Sequence, residues 1–335
     1  MSRQLIAVFV MLGLIFGVTV AGLKLGSFST DFATVWAAVF HYDPENSIHF
    51  AIMELRFPRL LLALLVGASL AFCGYLMQAM VNNALADPYI LGTAAGASLG
   101  ASFCFFALTN LTLYGIYLPP FAALLGSFTV TLLVVILGSN RGQLLPSQML
   151  LAGIALTSLI GALTSLVTFL SDSEGKLRSV IFWALGGFEK ASWEYLPYPA
   201  VALLLALFVF IFMQKHLNVL HLGPDRANML GVRVGQTRWI ILITVSVVTG
   251  FAVALSGPVG FVGLIVPHVT RSILGITGKL NLVFCALTGG LFMLLCDLLS
   301  RIIYPPAGMP VGVITSLFGV PFFVYLLLKK NYKFN

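Results

Sequence analysis

Blocks of about twenty consecutive apolar residues recur along the chain, and each is long enough for an α-helix to cross roughly 30 Å of hydrocarbon. Lipid cannot hydrogen-bond the backbone, so only helices or closed barrels can span it. Barrel strands would show alternating polarity over about ten residues, whereas these blocks are continuously apolar. We therefore predict an all-α, polytopic bundle of about ten transmembrane helices, of which the eighth, interrupted by glycine and proline, has the least defined ends. The predicted spans are 4–24, 60–80, 90–109, 118–138, 148–170, 195–214, 238–256, 259–275, 282–303 and 310–328.

The composition excludes a soluble fold. Only 9% of the 335 residues are charged and 59% are hydrophobic, against roughly 25% charged residues in an ordinary soluble domain. A compact soluble domain of this composition would have too little polar surface to face water. We expect residues 1–335 to form a single transmembrane domain in the lipid bilayer. The run 1–24 resembles a signal peptide, but it is long enough to span and is predicted as the first transmembrane helix.

The Lys and Arg residues are distributed unevenly between the two sides. With the N-terminus in the cytoplasm, 11 basic and 2 acidic residues lie on the cytoplasmic side, and 7 basic and 9 acidic residues lie on the other. This bias predicts that both termini are cytoplasmic, and an even number of spans agrees. The net charge of +7 is not gathered on a polar domain, so no nucleic-acid partner is expected. The cytoplasmic basic residues are Arg3, Arg141, Lys215, Arg226, Arg233, Arg238, Arg271, Lys279, Lys329, Lys330 and Lys333.

Three polar loops are too long to be simple turns. Residues 25–58 and 171–194 are predicted outside, the second with a short surface helix. Residues 215–237 are the largest cytoplasmic feature, and their periodicity predicts one or two short amphipathic helices. Pro224 is typical of a helix start and Gly231 of a break. Such a segment suits a membrane-surface helix, a docking element for a partner or an ordered connector.

The chain contains none of the common catalytic or nucleotide-binding motifs: no Walker A, no HExxH and no GxSxG pattern occurs. The four cysteines all fall in apolar blocks and are predicted to be packing residues. We therefore expect no enzyme, no bound cofactor and no metal. An intramembrane enzyme is disfavoured because no paired catalytic residues share a helix face. A stand-alone channel or an ion-coupled carrier is a further alternative, and the carrier would need an intramembrane acidic residue.

A few residues inside the spans carry local predictions. Asp297 and Arg301 lie one helical turn apart and are predicted to form an ion pair. His268 follows Pro267 at a helix interruption, which favours a packing or capping role. Glycines recur every fourth residue at 92, 96 and 100 and every third at 257, 260 and 263. This spacing favours close helix packing, and it would also suit a path for a bulky solute.

The segment Arg56-Phe-Pro-Arg59 and residues 67–98 resemble the second-to-third-helix signature of the FecCD family. This family comprises the permeases of binding-protein-dependent ABC importers for iron-siderophores, haem and cobalamin. Further family-like blocks follow in order, including FWALGG at 182–187 and SGPVGFVGLIVPHVTR at 256–271, which holds Gly260, Pro267 and His268. The matching positions of the signature are Gln78, Asn83, Leu85, Ala86, Asp87, Pro88, Leu91 and Gly92, and Gly96 follows in the same block.

The resemblance implies ten helices in a homodimer or a pair of close paralogues, in the cytoplasmic membrane of a bacterium. It further implies two separate ATPase subunits, which would use the ATP, and a periplasmic or lipoprotein binding protein. In that case 215–237 is the coupling-helix loop that contacts the ATPases, with Leu222, Gly223, Ala227, Leu230 and Gly231 at matching positions. Leu145, Pro146 and Ser147 resemble the cytoplasmic gate, and Arg56, Arg59 and Arg301 the arginines that meet the binding protein.

The sequence departs from the family pattern at three places. Gly308-Met309-Pro310 replaces Glu-x-Pro, Lys279-Leu280-Asn281 replaces Asp-His-Arg, and Ala84 replaces the proline of Asn-Pro-Leu. The leading hypothesis is an importer permease for an iron-siderophore or similar bulky metal chelate. Haem and cobalamin remain alternatives, and molybdate a more distant one.

Overall fold

The computed structural model describes residues 3–26, 30–107, 112–113, 116–140, 143–170, 174–276, 278–305 and 308–328. Arg141 and the three C-terminal lysines, which entered the charge count, lie outside these ranges. The helices are α1 (Arg3–Lys24), α2 (Phe32–Phe40), α3 (Ser47–Phe50), α4 (Phe57–Val81), α5 (Thr93–Ala107), α6 (Pro119–Leu137), α7 (Pro146–Phe169), α8 (Glu174–Leu185), α9 (Pro197–Phe212), α10 (Gln214–Leu220), α11 (Pro224–Met229), α12 (Val234–Ser256), α13 (Val262–Leu274), α14 (Asn281–Ile303) and α15 (Val311–Leu328).

Short irregular elements complete the description. A π-helical segment, Ala51–Arg56, joins α3 to α4, and a 3-10 helix, Pro88–Leu91, precedes α5. Two small antiparallel hairpins also occur, and they are the only departures from helix and loop in the described residues. They pair β1 (Thr112–Leu113) with β2 (Ile116–Tyr117), and β3 (Ser139–Asn140) with β4 (Gln143–Leu144).

The ten predicted spans each coincide with a helix. Among the described residues, six helical stretches are long and apolar enough to cross a membrane, the longest being the continuous Ser47–Val81. Helices α9 and α10 are apolar enough to span when taken together, and they are bent by 72° at their junction. The shorter apolar helices α5, α13 and α15 account for the rest. The prediction of a polytopic helical bundle is confirmed. We name its two ends by the predicted orientation: the outer end carries Asp297, and the cytoplasmic end carries Gln78.

Helix α4 lies at the centre of the bundle and packs against α9, α12, α13 and α14. It is buried along almost its whole length, because glycines let its neighbours approach closely. A Cβ on Gly67 would lie 2.3 Å from the carbonyl oxygen of Gly289, and one on Gly74 would lie 2.1 Å from that of Gly263. In lipid, where helices gain little from hydrophobic association, such backbone approach is a main source of packing energy.

The two predicted glycine series are partly confirmed. A Cβ on Gly96 would lie 2.3 Å from the carbonyl oxygen of Gly126, so α5 and α6 do cross closely there. Gly92, however, is not part of that helix face, since it ends the 3-10 helix with φ +72°. The packing prediction for Gly260 is wrong: no atom lies within 4 Å of a Cβ placed there. The reason is that residues 257–261 form a loop, and α13 begins only at Val262.

The polar loops contain the short helices that the sequence predicts. The outer loop 171–194 contains α8, and the cytoplasmic loop 215–237 contains α10 and α11, with α11 starting at Pro224. The first outer loop contributes α2, which buries Val35 and Ala38 and exposes a row of aromatic rings. The row comprises Phe32, Trp36 and Phe40. The four cysteines are buried and free, as predicted.

Candidate functional site

A buried ion cluster occupies the outer end of the bundle. Asp297 of α14 is fully buried, and Arg59 of α4 donates from Nε to its Oδ1 at 2.7 Å. The Nε of Arg301 lies 3.1 Å from Oδ2, one turn away on α14, which confirms the predicted pair. Arg59 also places Nη2 3.5 Å from a carboxylate oxygen of Glu189, which is half exposed. One buried carboxylate thus binds two guanidinium groups, and the one of Arg59 joins α4 to α14.

The three arginines predicted to meet a binding protein are turned largely toward their own chain. Arg56 is buried and donates to the carbonyl oxygen of Leu23 at 2.7 Å. Arg301 is buried as well and donates to the carbonyl oxygen of Gly22 at 2.9 Å. The side chain of Arg59 is 14% exposed. That these arginines meet a binding protein stays a prediction. Carbonyl oxygens at the end of α1 accept hydrogen bonds from Arg56 and Arg301, and the carboxylate of Asp297 accepts one from Arg59.

A cavity of about 390 Å³ opens beside this cluster. It lies between α8, the turn that follows it, the C-terminal end of α12 and the segment at Gly308 and Pro310. Arg178 and Lys190 line it together with Phe182 and Trp183. Sequence reasoning missed both cations as site residues. The signal available was their position in an outer loop already predicted to contain a surface helix.

Gln78 connects α4 to α13 at the cytoplasmic end. Its Nε2 donates to the carbonyl oxygen of Gly263 at 3.1 Å, and its Oε1 accepts a hydrogen bond from Arg271. The Arg271 guanidinium also lies 5.8 Å from the centre of the Tyr75 ring. This motif residue is therefore a buried structural bridge. Its partner Arg271 entered only the charge count from the sequence, and Tyr75, which contacts Arg271, was not singled out. Polar residues facing each other across apolar helices are difficult to pair from one sequence.

The rest of the motif builds the turn between α4 and α5. The Oδ1 atom of Asn83 accepts from the Leu85 N–H at 2.9 Å, and that of Asp87 accepts from the Tyr89 N–H at 2.7 Å, which caps the 3-10 helix at Pro88. Burial raises the pKa of Asp87 to about 6, although the Tyr89 N–H acts in the opposite direction. The Tyr89 hydroxyl contacts the backbone of Val259 at 3.0 Å, which ties the turn to the loop before α13.

The predicted coupling loop forms an exposed apolar knob at the cytoplasmic end. Ala227 of α11 is fully buried and fixes the helix to the bundle, whereas Leu222 is 50% and Leu230 61% exposed. Gly223 and Gly231 flank α11 with φ +94° and +81°, conformations that favour glycine. The geometry therefore turns apolar side chains toward the cytoplasm on a short, anchored helix. Burial, with the nearby Arg271 charge, lowers the pKa of the adjacent His221 to about 4, so this ring is neutral at physiological pH.

Comparison with known proteins identifies the family. A sequence model of the FecCD transport family matches residues 13–329. The chain belongs to the FecCD transport family.

Similar proteins with a named transport role support the FecCD assignment. The chain is 34% identical to the hemin transport system permease protein HmuU of Yersinia pestis, over 92% of this chain and 91% of that protein. It is also 34% identical to the iron(3+)-hydroxamate import system permease protein FhuB of Bacillus subtilis, over 92% of this chain and 79% of that protein. A solved structure assigned to the metal-chelate type of ABC transporter, in an inward-facing conformation, aligns with a TM-score of 0.83 and 32% identity. It covers 96% of this chain and 98% of that one.

As a FecCD protein, the chain is a multi-pass membrane component of an ABC importer, a permease that works with ATPase and substrate-binding partners. The segment predicted as a cytoplasmic gate lies at the start of α7: Leu145 is the N-cap residue of this helix, Pro146 its first residue, and Ser147 is exposed. The Nη1 of Arg238 donates to the carbonyl oxygen of Leu144 at 3.2 Å, which holds the preceding hairpin against α12.

The FecCD block at 256–271 places Pro267 inside α13, where it is buried. The next residue, His268, packs its ring 5.9 Å from that of Phe322 on α15, in agreement with the predicted packing role. Across the described part of the chain, no cluster of three or more His, Cys, Asp or Glu side chains is arranged to hold a metal ion.

Proposed function

We propose that this chain is the permease subunit that carries an iron-siderophore complex, or a similar bulky metal chelate, across the cytoplasmic membrane of a bacterium. Two permease subunits, identical or closely related, would form the path between them. Two separate ATPase subunits would supply the energy, and this chain would bind neither ATP nor a resident cofactor. A periplasmic or lipoprotein binding protein would deliver the cargo.

The observation that carries the proposal is the exposed knob around α11. Covering an exposed leucine side chain completely is worth about 1.5–3 kcal/mol, and Leu222 and Leu230 are 50% and 61% exposed. Each would therefore gain about 1–2 kcal/mol under a partner surface. Because the buried Ala227 anchors α11 in the bundle, a displacement of the knob by a partner would be transmitted directly to the transmembrane helices. ATP-driven closure of the ATPase subunits would use this contact to switch the permease between outward-open and inward-open states.

The remaining assigned roles follow from position. Leu145, Pro146 and Ser147 begin α7 at the cytoplasmic end, where a gate at the axis of the dimer would close the path. At the outer end, acidic residues of the binding protein would approach Arg59 and compete with Glu189 for it. Arg56 and Arg301 would support this contact from behind, since they are buried. Charged contacts at such a rim set orientation and rate of encounter more than affinity.

Sequence identity to the relatives does not determine which cargo this chain carries, so the proposal names the cargo by its size and chemistry. Relatives that are equally similar to this chain serve hemin and iron-hydroxamate import, so 34% identity does not select between them. Both are bulky iron chelates, which is the class proposed here. A stand-alone carrier is disfavoured, because the buried Asp297 is neutralised by two arginines and is not available as a coupling acid.

The test is reconstitution of the chain with its ATPase and binding protein in liposomes. We expect the ATPase to co-purify with the chain and ATP hydrolysis to rise when the loaded binding protein is added. Changing both knob leucines to serine (Leu222→Ser, Leu230→Ser) should weaken ATPase association roughly tenfold or more, because two apolar contacts are lost. The matched control is Leu177→Ser, an exposed leucine of α8 at the opposite end. Uptake that persists after the ATPase's catalytic glutamate is mutated would refute the proposal in favour of a carrier or channel.

A further inference from the structure

The outer cavity has the size of a ligand pocket. Its volume of about 390 Å³ falls within the range of roughly 300–1,000 Å³ that is usual for small-molecule sites. One wall is formed by α8, from Gly175 to Trp183, and the facing wall by Leu255 and Ser256 at the end of α12. Gly308 and Pro310 close it from the side of the ion cluster.

The charge around the cavity is predominantly positive. Arg178 and Lys190 line it, and Glu189 is the only acidic residue in the lining that the structure describes. The carboxylate of Glu189 lies 3.5 Å from Arg59, which with Arg301 also neutralises Asp297. Four cationic side chains therefore surround two carboxylates here, which leaves an excess of two positive charges.

The two lining cations are available to a ligand. Both are exposed, and within the described part of the chain neither takes part in an ion pair. Arg178 lies 5.4 Å from the centre of the Phe182 ring. The Nζ of Lys190 donates a hydrogen bond to the hydroxyl of Tyr117, which orients the ammonium, and an ammonium has two further N–H donors. A guanidinium held in this way offers paired N–H groups to carboxylate or catecholate oxygens. The rings of Phe182 and Trp183 supply apolar surface beside them.

We infer that this cavity binds the anionic groups of the transported chelate, so that the cargo carries carboxylates or catecholates rather than being neutral or cationic. The inference rests on the proposed function and narrows it. Among bulky iron chelates, those with ionised oxygen groups on their outer surface fit the positive excess. Complexes without net negative charge lack the charge–charge attraction to Arg178 and Lys190 and keep only the weaker hydrogen bonds to neutral oxygens.

The test measures direct binding to the full chain in lipid nanodiscs, without partner proteins. The probes are two synthetic hexadentate iron(III) complexes of similar size, a trianionic tris-catecholate and a neutral tris-hydroxamate, both labelled with radioactive iron. Equilibrium dialysis gives their dissociation constants for the native chain, for Arg178→Gln/Lys190→Gln and for Lys176→Gln. Lys176 is the matched control, since it lies on α8 but outside the cavity lining and donates to the carbonyl oxygen of Phe106. Arg178→Lys keeps the charge, and a thermal scan of each variant reports folding.

We expect the native chain to bind the trianionic complex about tenfold or more tightly than the neutral one, with the preference weakening as salt rises. The double variant should lose most of that preference while its affinity for the neutral complex changes less than about twofold, and Lys176→Gln should keep it. Equal binding of both complexes to the native chain, no binding of the trianionic complex, or an unchanged preference in the double variant would each overturn the inference. The ATPase-coupled assay is independent of these outcomes. A chain that stimulates its ATPase but fails here is a permease without an anion-selective cavity.

Discussion

Replacing Asp297 by asparagine is the most direct test of the outer ion cluster. The substitution keeps the shape of the side chain but removes the charge that two guanidinium groups share, at 2.7 Å for Arg59 and 3.1 Å for Arg301. Because Asp297 is fully buried, solvent screens the remaining guanidinium charges only weakly. Arg59 retains Glu189 at 3.5 Å, whereas Arg301 keeps only carbonyl contacts to the end of α1.

The expected cost follows from this geometry. Breaking a buried ion pair by removing one partner destabilises a protein by about 3–5 kcal/mol. For a chain of this length the entropy of unfolding is roughly 0.7 kcal/mol per kelvin, so Asp297→Asn should lower the Tm by about 4–7 °C. Glu189→Gln is the control, since its carboxylate is half exposed and its loss should cost less than about 1 kcal/mol, or some 1–2 °C.

The buried thiols provide the assay. All four cysteines are free and buried, so a fluorogenic maleimide should label them only as the chain unfolds on heating. The double variant Asp297→Asn/Arg301→Gln should be less destabilised than the sum of its single changes, because it leaves one uncompensated charge fewer. If Asp297→Asn melts within about 2 °C of Glu189→Gln, the cluster is effectively solvated and the argument from burial fails.

Two further predictions concern the interior and the motif turn. Gly74→Ala should sharply reduce the yield of folded protein on size-exclusion chromatography, because its methyl group would lie 2.1 Å from the Gly263 carbonyl oxygen. Gly260→Ala is the control and should elute like the native chain, because no atom lies within 4 Å of a Cβ placed there. Native behaviour of both variants would mean that α4 and α13 do not pack through their backbones. Folding raises the pKa of Asp87, so the folded state binds more protons than the unfolded state between about pH 4 and 6. The free energy of unfolding should therefore fall by roughly 1–3 kcal/mol as the pH rises through that window. Tryptophan-fluorescence melting should show this loss in the native chain and not in Asp87→Asn; a parallel pH dependence in both would contradict the assignment.

Much of the architecture could be predicted from the sequence because lipid imposes simple rules. The ten apolar blocks required helices, and each was found as one. The start of α11 at Pro224 and the presence of a short helix in the loop 171–194 were also predictable, since both follow from local sequence and do not depend on distant contacts. The Asp297–Arg301 pair follows from helical spacing alone.

Contacts between distant segments could not be predicted in the same way. Arg59 is 238 positions from Asp297, and nothing in one sequence states that α4 and α14 lie side by side. For the same reason Arg56 was expected at an exposed rim, while the structure buries it under the end of α1. The predicted helix packing of Gly260 was wrong because the regular spacing of glycines 257, 260 and 263 suggested a helix, whereas α13 begins only at Val262. The cavity residues Arg178 and Lys190 come together only through the turn after α8.

The arrangement of charge on α14 also bears on how the chain enters the membrane during synthesis. An isolated aspartate or arginine within a span costs about 2.5–3.5 kcal/mol of insertion free energy at the translocon when it lies near the helix centre. Asp297 and Arg301 lie in consecutive turns of the same helix and can leave the translocon as a neutral pair. When α14 is made, α4 has already been synthesised, and its Arg59 can join the pair as the two helices meet. The cluster therefore lets a late helix insert without a lone charge and then holds it beside α4, the central helix of the bundle.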